Sequence, residues 1–106
     1  MSVLSPADPT AILPTEFRLY AASPNSFNPS TTIAYDIASN THVRLRVFNS
    51  LGGLVTTLMD NAASRGRYQV IWKGTDESGN SAGSGIYFLR LESPIFTSAQ
   101  KMILIR

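Results

Sequence analysis

The feature that most restricts what this chain can fold into is a two-residue period. Large apolar side chains recur at every second position in Ile33, Tyr35 and Ile37, in Val43, Leu45 and Val47, in Tyr68, Val70 and Trp72, and in Tyr87, Leu89 and Leu91. Successive side chains of an extended strand point to opposite faces, so each run buries one face and leaves Arg44, Arg46, Arg67, Gln69 or Arg90 on the other. A helix would scatter the same residues around its axis, and no segment shows the spacing of an amphipathic helix. The chain is therefore predicted to be all-β, with two sheets covering each other's apolar faces.

Turn-forming residues divide these runs. Phe17 to Tyr20 reads as a short strand that ends before Pro24. The prolines of the segment Pro24-Asn25-Ser26-Phe27-Asn28-Pro29-Ser30 set the backbone around turn-favouring residues, and Phe27 is expected to plug the end of the core. Thr31 to Ile37 and His42 to Asn49 read as a hairpin across Ser39-Asn40-Thr41. Gly52 and Gly53 mark the corner before a strand from Leu54 to Met59, and Asp60 to Arg65 reads as a polar loop. Gly66 to Lys73 is the strand that carries Trp72. Gly74 to Gly85 is a long loop, and the last strands are Ile86 to Glu92 and Phe96 to Arg106. About seven short strands at this spacing describe an antiparallel β-sandwich over residues 17–106. Residues 1–16, rich in Ser, Ala, Pro and Thr, read as a flexible linker or leader.

A chain of 106 residues suits one core, and its net charge of +2 does not suggest a face built for polyanions, so no nucleic-acid partner is expected. The absence of cysteine removes disulfides, thiolate nucleophiles and zinc–thiolate sites. Pro6, Pro9 and Pro14 interrupt the start of the chain, which does not read as a signal peptide, so export would need a signal elsewhere in a longer protein.

His42 is the single histidine, placed at the start of a strand, and is expected at an exposed edge, with Asp36 and Asp60 as the acids worth testing as partners. Asp76-Glu77-Ser78-Gly79-Asn80 clusters oxygen donors, but it lacks the order of a calcium loop and reads better as an Asx turn. No catalytic, cofactor or metal residues are assigned, and the chain is not expected to be an enzyme. Arg44, Arg46, Arg90 and Lys101 accompany Phe48 and Phe88 on outward positions. This face could bind a carbohydrate or single-stranded nucleic acid, though solvated edge guarding is the commoner use of such residues.

Several ordered motifs carry a family resemblance. Ser23-Pro24-Asn25-Ser26-Phe27-Asn28-Pro29-Ser30-Thr31-Thr32-Ile33 resembles the YPNPFNPSTTI opening of the type IX secretion C-terminal sorting domain, type A, a domain similar to the immunoglobulin-like domain of flagellar hook capping proteins. Val43 to Leu58, with Gly52, resembles that family's hairpin. Val70 to Asp76, with Trp72 and Gly74, resembles its V-x-W-D-G-x-D segment, and Gly79 belongs to the loop that follows. Ser84-Gly85-Ile86-Tyr87-Phe88-Leu89-Arg90-Leu91 resembles SGxYfyRL, and Lys101-Met102-Ile103-Leu104-Ile105-Arg106 resembles the KMvLlk ending. Ser23, Ser26, Asn49, Gly53 and Lys73 depart from the family pattern.

The resemblance implies an immunoglobulin-like sandwich that needs no cofactor and performs no reaction. It implies an address attached to an upstream cargo domain, recognised in the periplasm by the type IX secretion machinery and delivered to the outer-membrane surface or the medium. On this reading the recognition residues are Lys101, Met102, Ile103, Leu104, Ile105 and Arg106, and a last strand is suited to reading by strand addition. Two other readings stay open. One is a subunit of a fibre or hook-like scaffold that self-associates through edge strands, and the other is a carbohydrate-binding accessory module.

Overall fold

The computed structural model describes residues 13–24 and 26–106, with Phe27 described by its backbone alone. Most of the 1–16 leader, Asn25 and the expected Phe27 plug lie outside the described residues. The strands are β1 (Arg18–Leu19), β2 (Ser26–Phe27), β3 (Thr31–Ile37), β4 (Thr41–Asn49), β5 (Leu54–Ala63), β6 (Gly66–Trp72), β7 (Gly85–Ser93) and β8 (Phe96–Leu104). They form a three-stranded sheet in the order β1-β3-β6 and a five-stranded sheet in the order β2-β8-β7-β4-β5. All pairings are antiparallel except that of β2 with β8. The fold is thus the expected immunoglobulin-like sandwich of seven antiparallel strands, with β2 added as a two-residue parallel edge.

The alternating residues meet between the sheets. Ile33, Tyr35, Ile37 and Trp72 from one sheet face Val43, Leu45, Val47, Tyr87, Leu89, Leu91, Met102 and Leu104 from the other, all buried. Trp72 and Tyr87 span the gap edge to face, with ring centroids 5.3 Å apart. Such a pairing adds to the area both rings bury.

The hairpin expected between Thr31 to Ile37 and His42 to Asn49 does not form. β3 pairs with β1 and β6, whereas β4 pairs with β5 and β7, so residues 38–40 carry the chain from one sheet to the other. Alternation reports which face is buried and says nothing about which strand lies alongside, so both arrangements give the same pattern. A second crossing, between β5 and β6, is tied to the first by the backbone N–H of Arg65, which donates to Asn40 Oδ1 at 2.9 Å.

The polar loop expected from Asp60 is also shorter than predicted, because β5 continues to Ala63 against the first residues of β4. Polar side chains are tolerated there because β5 is a sheet edge and its outer positions meet water. β5 lacks clean alternation for a related reason. Its pairing with β4 shifts between Leu45 and Arg46 and again between Val47 and Phe48, leaving Leu58 and Val55 as extra residues. Two bulges let Val55, Leu58 and Met59 all pack toward the core from a sequence that is not periodic.

On the outer face of the smaller sheet, Asp36 is buried beneath two partners. Arg67 Nε donates to Asp36 Oδ1 at 2.8 Å, and the Tyr20 hydroxyl donates to Oδ2 at 2.5 Å. Burial pushes the Asp36 carboxyl up, but the hydrogen bonds from Arg67 and Tyr20, with the charges of Arg67 and Arg18, outweigh it and hold the group below its ordinary value.

Two predictions follow from this packing. Leu89→Ala should destabilise the domain by about 2–5 kcal/mol, because Leu89 is fully buried. Ile71→Ala, at a position on β6 that is 57% exposed, should change stability by less than about 1 kcal/mol. Urea unfolding of both variants checks the contrast. A carboxyl held below its unfolded value stabilises above about pH 4, and that stabilisation is lost as pH falls through its own lower value. Asp36→Asn should therefore be less stable than wild type at neutral pH, with the gap closing as the medium is acidified. Unfolding midpoints measured between about pH 2 and 7 test this, and a gap independent of pH would contradict the assignment.

Candidate functional site

β8 carries most of the residues assigned to recognition, and its pairing decides which of them solvent can reach. β7 and β8 are in unbroken register from Gly85 opposite Leu104 to Ser93 opposite Phe96. Alternation is consequently preserved: Met102 and Leu104 lie in the core while Lys101 and Ile103 are exposed. The other edge of β8 is covered by β2 at Ile103 and Leu104 alone. Further back, β8 leans on the smaller sheet, where Gln100 Nε2 donates to the Leu19 carbonyl at 3.0 Å and Phe96 stacks on Phe17 at 5.4 Å.

The expected strand to Arg106 ends two residues early, at Leu104. Ile105 is exposed, and Arg106 turns onto the long loop between β6 and β7. Its N–H donates to Ser84 Oγ at 2.9 Å, its Nε donates to the Ala82 carbonyl at 2.5 Å, and its Nη2 donates to the Gly74 carbonyl. Those hydrogen bonds complete what the ladder leaves undone, since carbonyls at both ends of the loop are gathered by one guanidinium. Gly74 has φ +70°, and a Cβ there would lie 2.8 Å from Arg106 Nη2 and 3.0 Å from the Pro29 carbonyl oxygen. Glycine is thus needed both for backbone geometry and for close approach.

The loop is internally organised. Asp76 Oδ1 accepts from the N–H groups of Ser78 at 2.9 Å and Asn80 at 3.0 Å, which is the expected Asx turn, with Gly79 at φ +86°. Trp72 Nε1 donates to the Thr75 carbonyl at 2.9 Å and the Tyr87 hydroxyl to the Gly83 carbonyl at 2.6 Å. Among the described residues, no three His, Asp or Glu side chains converge as a metal-binding set.

The remaining motif residues take structural places. Ser23 and Thr32 form a bridge, and Thr31 Oγ1 donates to the Pro24 carbonyl, closing the corner that ends in Pro29, while Asn28 is exposed. Gly52, at φ +87°, turns β4 into β5. Asn49, where the family favours Asp, accepts from the N–H groups of Leu51 at 3.0 Å and Gly53 at 2.8 Å, so its amide oxygen does what a carboxylate oxygen would.

On the outer face of the larger sheet, the guanidinium carbons of Arg46 and Arg90 each lie 5.1 Å from the centroid of the Phe48 ring. Glu92 pairs with both, at 3.5 Å to Arg90. His42 is exposed and meets Asp60 with Nε2 2.6 Å from Oδ1. Ser93 lines the same shallow depression as His42, but its hydroxyl faces the β7–β8 turn, accepting from the Ile95 N–H at 3.3 Å. The grip of Arg106 on Gly74 and the bridging role of Glu92 were not anticipated. Each depends on a partner 32 or 46 residues away, which local patterns do not reveal.

Known proteins share this fold. The family model described as the FlgD Ig-like domain matches residues 24–94. No curated protein matches the chain. Among solved structures, FlgD from P. aeruginosa superposes with a TM-score of 0.54 at 18% identity, over 70% of this chain and 57% of that one. Dimeric latent PorU from Porphyromonas gingivalis gives 0.59 at 22% identity, over 93% of this chain and 10% of that one. PorZ, a surface component of the type IX secretion system of P. gingivalis, gives 0.57 at 18% identity, over 83% of this chain and 11% of that one. The chain thus spans little more than half of the first of these proteins and about a tenth of the other two. At these identities the likeness is one of fold.

Gly74→Ala should cost more than Gly79→Ala. Both place a side chain at positive φ, worth about 1–2 kcal/mol, but a Cβ at residue 79 meets nothing within 4 Å. In an Arg106→Gln background the Gly74→Ala penalty should fall by at least about 0.5 kcal/mol. A double-mutant cycle by chemical unfolding measures this, and strictly additive effects would show that the two residues are not coupled.

Proposed function

We propose that this chain, which belongs to the FlgD Ig-like domain family, is a non-catalytic sorting module that directs an attached cargo protein through the type IX secretion machinery to the cell surface or medium. The fold likeness to PorZ and PorU supports the reading, as do the ordered motifs shared with type IX sorting domains. The observation that carries it is the division of labour along β8. Met102 and Leu104 close the core, while Lys101 and Ile103 stand outside on the same strand, so one segment can complete the fold and display an address.

This division changes how the address must be tested. Removing residues 101–106 would delete two core side chains and unfold the sandwich, so lost export would not identify a signal. The whole chain should instead be fused behind a periplasmic passenger with its own signal peptide. Release to the surface or medium is expected in a host with a type IX system, and periplasmic retention is expected in an isogenic host lacking it. Equal release from both hosts would sink the proposal. Lys101→Glu with Ile103→Asp should reduce release while leaving thermal stability within a few degrees of wild type, because both side chains are exposed.

A further inference from the structure

The outer face of the larger sheet is sorted into rows by the strand register. Leu54 of β5, Phe48 of β4, Phe88 of β7 and Lys101 of β8 lie side by side across four strands. Ile86 and Ile103 form the next row toward one end of the sheet. On the other side of the first row, Thr57, Arg46, Arg90 and Ala99 are aligned, followed by Asp60, Arg44, Glu92 and Thr97. Neighbouring rows are about 7 Å apart, two residues along a strand. An apolar band therefore runs directly beside a cationic one.

The apolar band is open to solvent, with Leu54, Ile86, Phe88 and Ile103 exposed by 47%, 43%, 38% and 39%. On the outer face of the smaller sheet, by contrast, the single exposed large apolar side chain among the described strand residues is Ile71. The cationic band is held in place, because Glu92 pairs with both Arg46 and Arg90 and both guanidiniums rest against Phe48. Arg44, Arg46, Arg90 and Lys101 outnumber Glu92 and Asp60 on this face, and Asp60 is itself engaged by His42. Edge guarding does not account for this arrangement, since β4 and β7 are central strands with neighbours on both sides.

We propose that this face docks an acidic protein surface that presents apolar side chains alongside its carboxylates. The apolar band supplies burial, and the fixed guanidiniums supply orientation and exclude cationic partners. A second copy of this chain is a poor occupant, because it would oppose cations to cations. Stacking of a sugar on Phe48 would compete with the two guanidiniums already there. The inference rests on the sorting reading and deepens it. It extends recognition from Lys101 and Ile103 to Phe88, Arg90 and their neighbours on the same face.

The test uses the full-chain passenger fusion with two changes outside residues 101–106. Arg90→Glu reverses one charge, and Ile86→Ser with Phe88→Ser removes two exposed apolar groups. Each should lower the exported fraction about tenfold, a binding difference of about 1.4 kcal/mol. Arg18→Glu, the same charge reversal on the outer face of the other sheet, is the control and should export normally. Thermal unfolding of each purified variant separates lost docking from lost folding. Because the two changes act through charge and through apolar area, a folding defect in one leaves the other decisive. Wild-type export of Arg90→Glu and of the double serine variant would overturn the docking face and leave the sorting reading standing. An equal loss with an Arg18→Glu variant that keeps the wild-type unfolding temperature would also overturn it. Failure of the unaltered fusion to be exported would overturn both.

Discussion

The contact between Trp72 and Tyr87 ties the two sheets to each other and to the long loop between β6 and β7. Each ring comes from a different sheet, so their edge-to-face packing joins the two layers at one end of the core. Each also has a polar end that reaches the long loop, Trp72 at Thr75 and Tyr87 at Gly83. Both ends of that loop are thereby fixed relative to the core, and the carbonyls of Gly74 and Ala82 are presented where Arg106 collects them. A packing event between two aromatic side chains thus propagates through backbone carbonyls to the last residues of β8. Aromatic residues suit this position because they combine large apolar area with one directional donor.

Which residues face inward was legible in the sequence because it depends on a local period. The apolar faces of β3, β4, β6 and β7 follow alternation position by position, and the turn at Gly52 and the Asx turn at Asp76 follow from the residue types at those positions. Strand partnership was not legible in the same way. β3 and β4 were expected to pair because they are adjacent in sequence, and they lie in different sheets because the intervening segment crosses the sandwich. β5 was read only as far as Met59, for another reason. Its two bulges break the period on which recognition of a strand relies, and its polar second half is tolerated because it lies at an edge.

The candidate surface was readable only in part. Outward Arg44, Arg46, Arg90 and Lys101 could be named from alternation, as could Phe48 and Phe88. Their arrangement into parallel apolar and cationic bands needed the register between strands, which also brought Leu54 into the apolar row. The segment 101–106 was identified by resemblance as one unit. The structure divides it into core residues, exposed residues and an arginine committed to a neighbouring loop, so its members experience different constraints.

The uninterrupted register of β7 and β8 has a consequence for how such a chain can vary. Inserting or deleting one residue within β8 would exchange its two faces, sending Lys101 and Ile103 inward and Met102 and Leu104 outward. Substitutions can accumulate at alternate positions of this strand, but its length is held constant between a fixed turn and the clasped loop. Related chains should therefore align across this stretch without gaps, even where few residues are shared, while β5, whose bulges already absorb extra residues, is the place where lengths can drift.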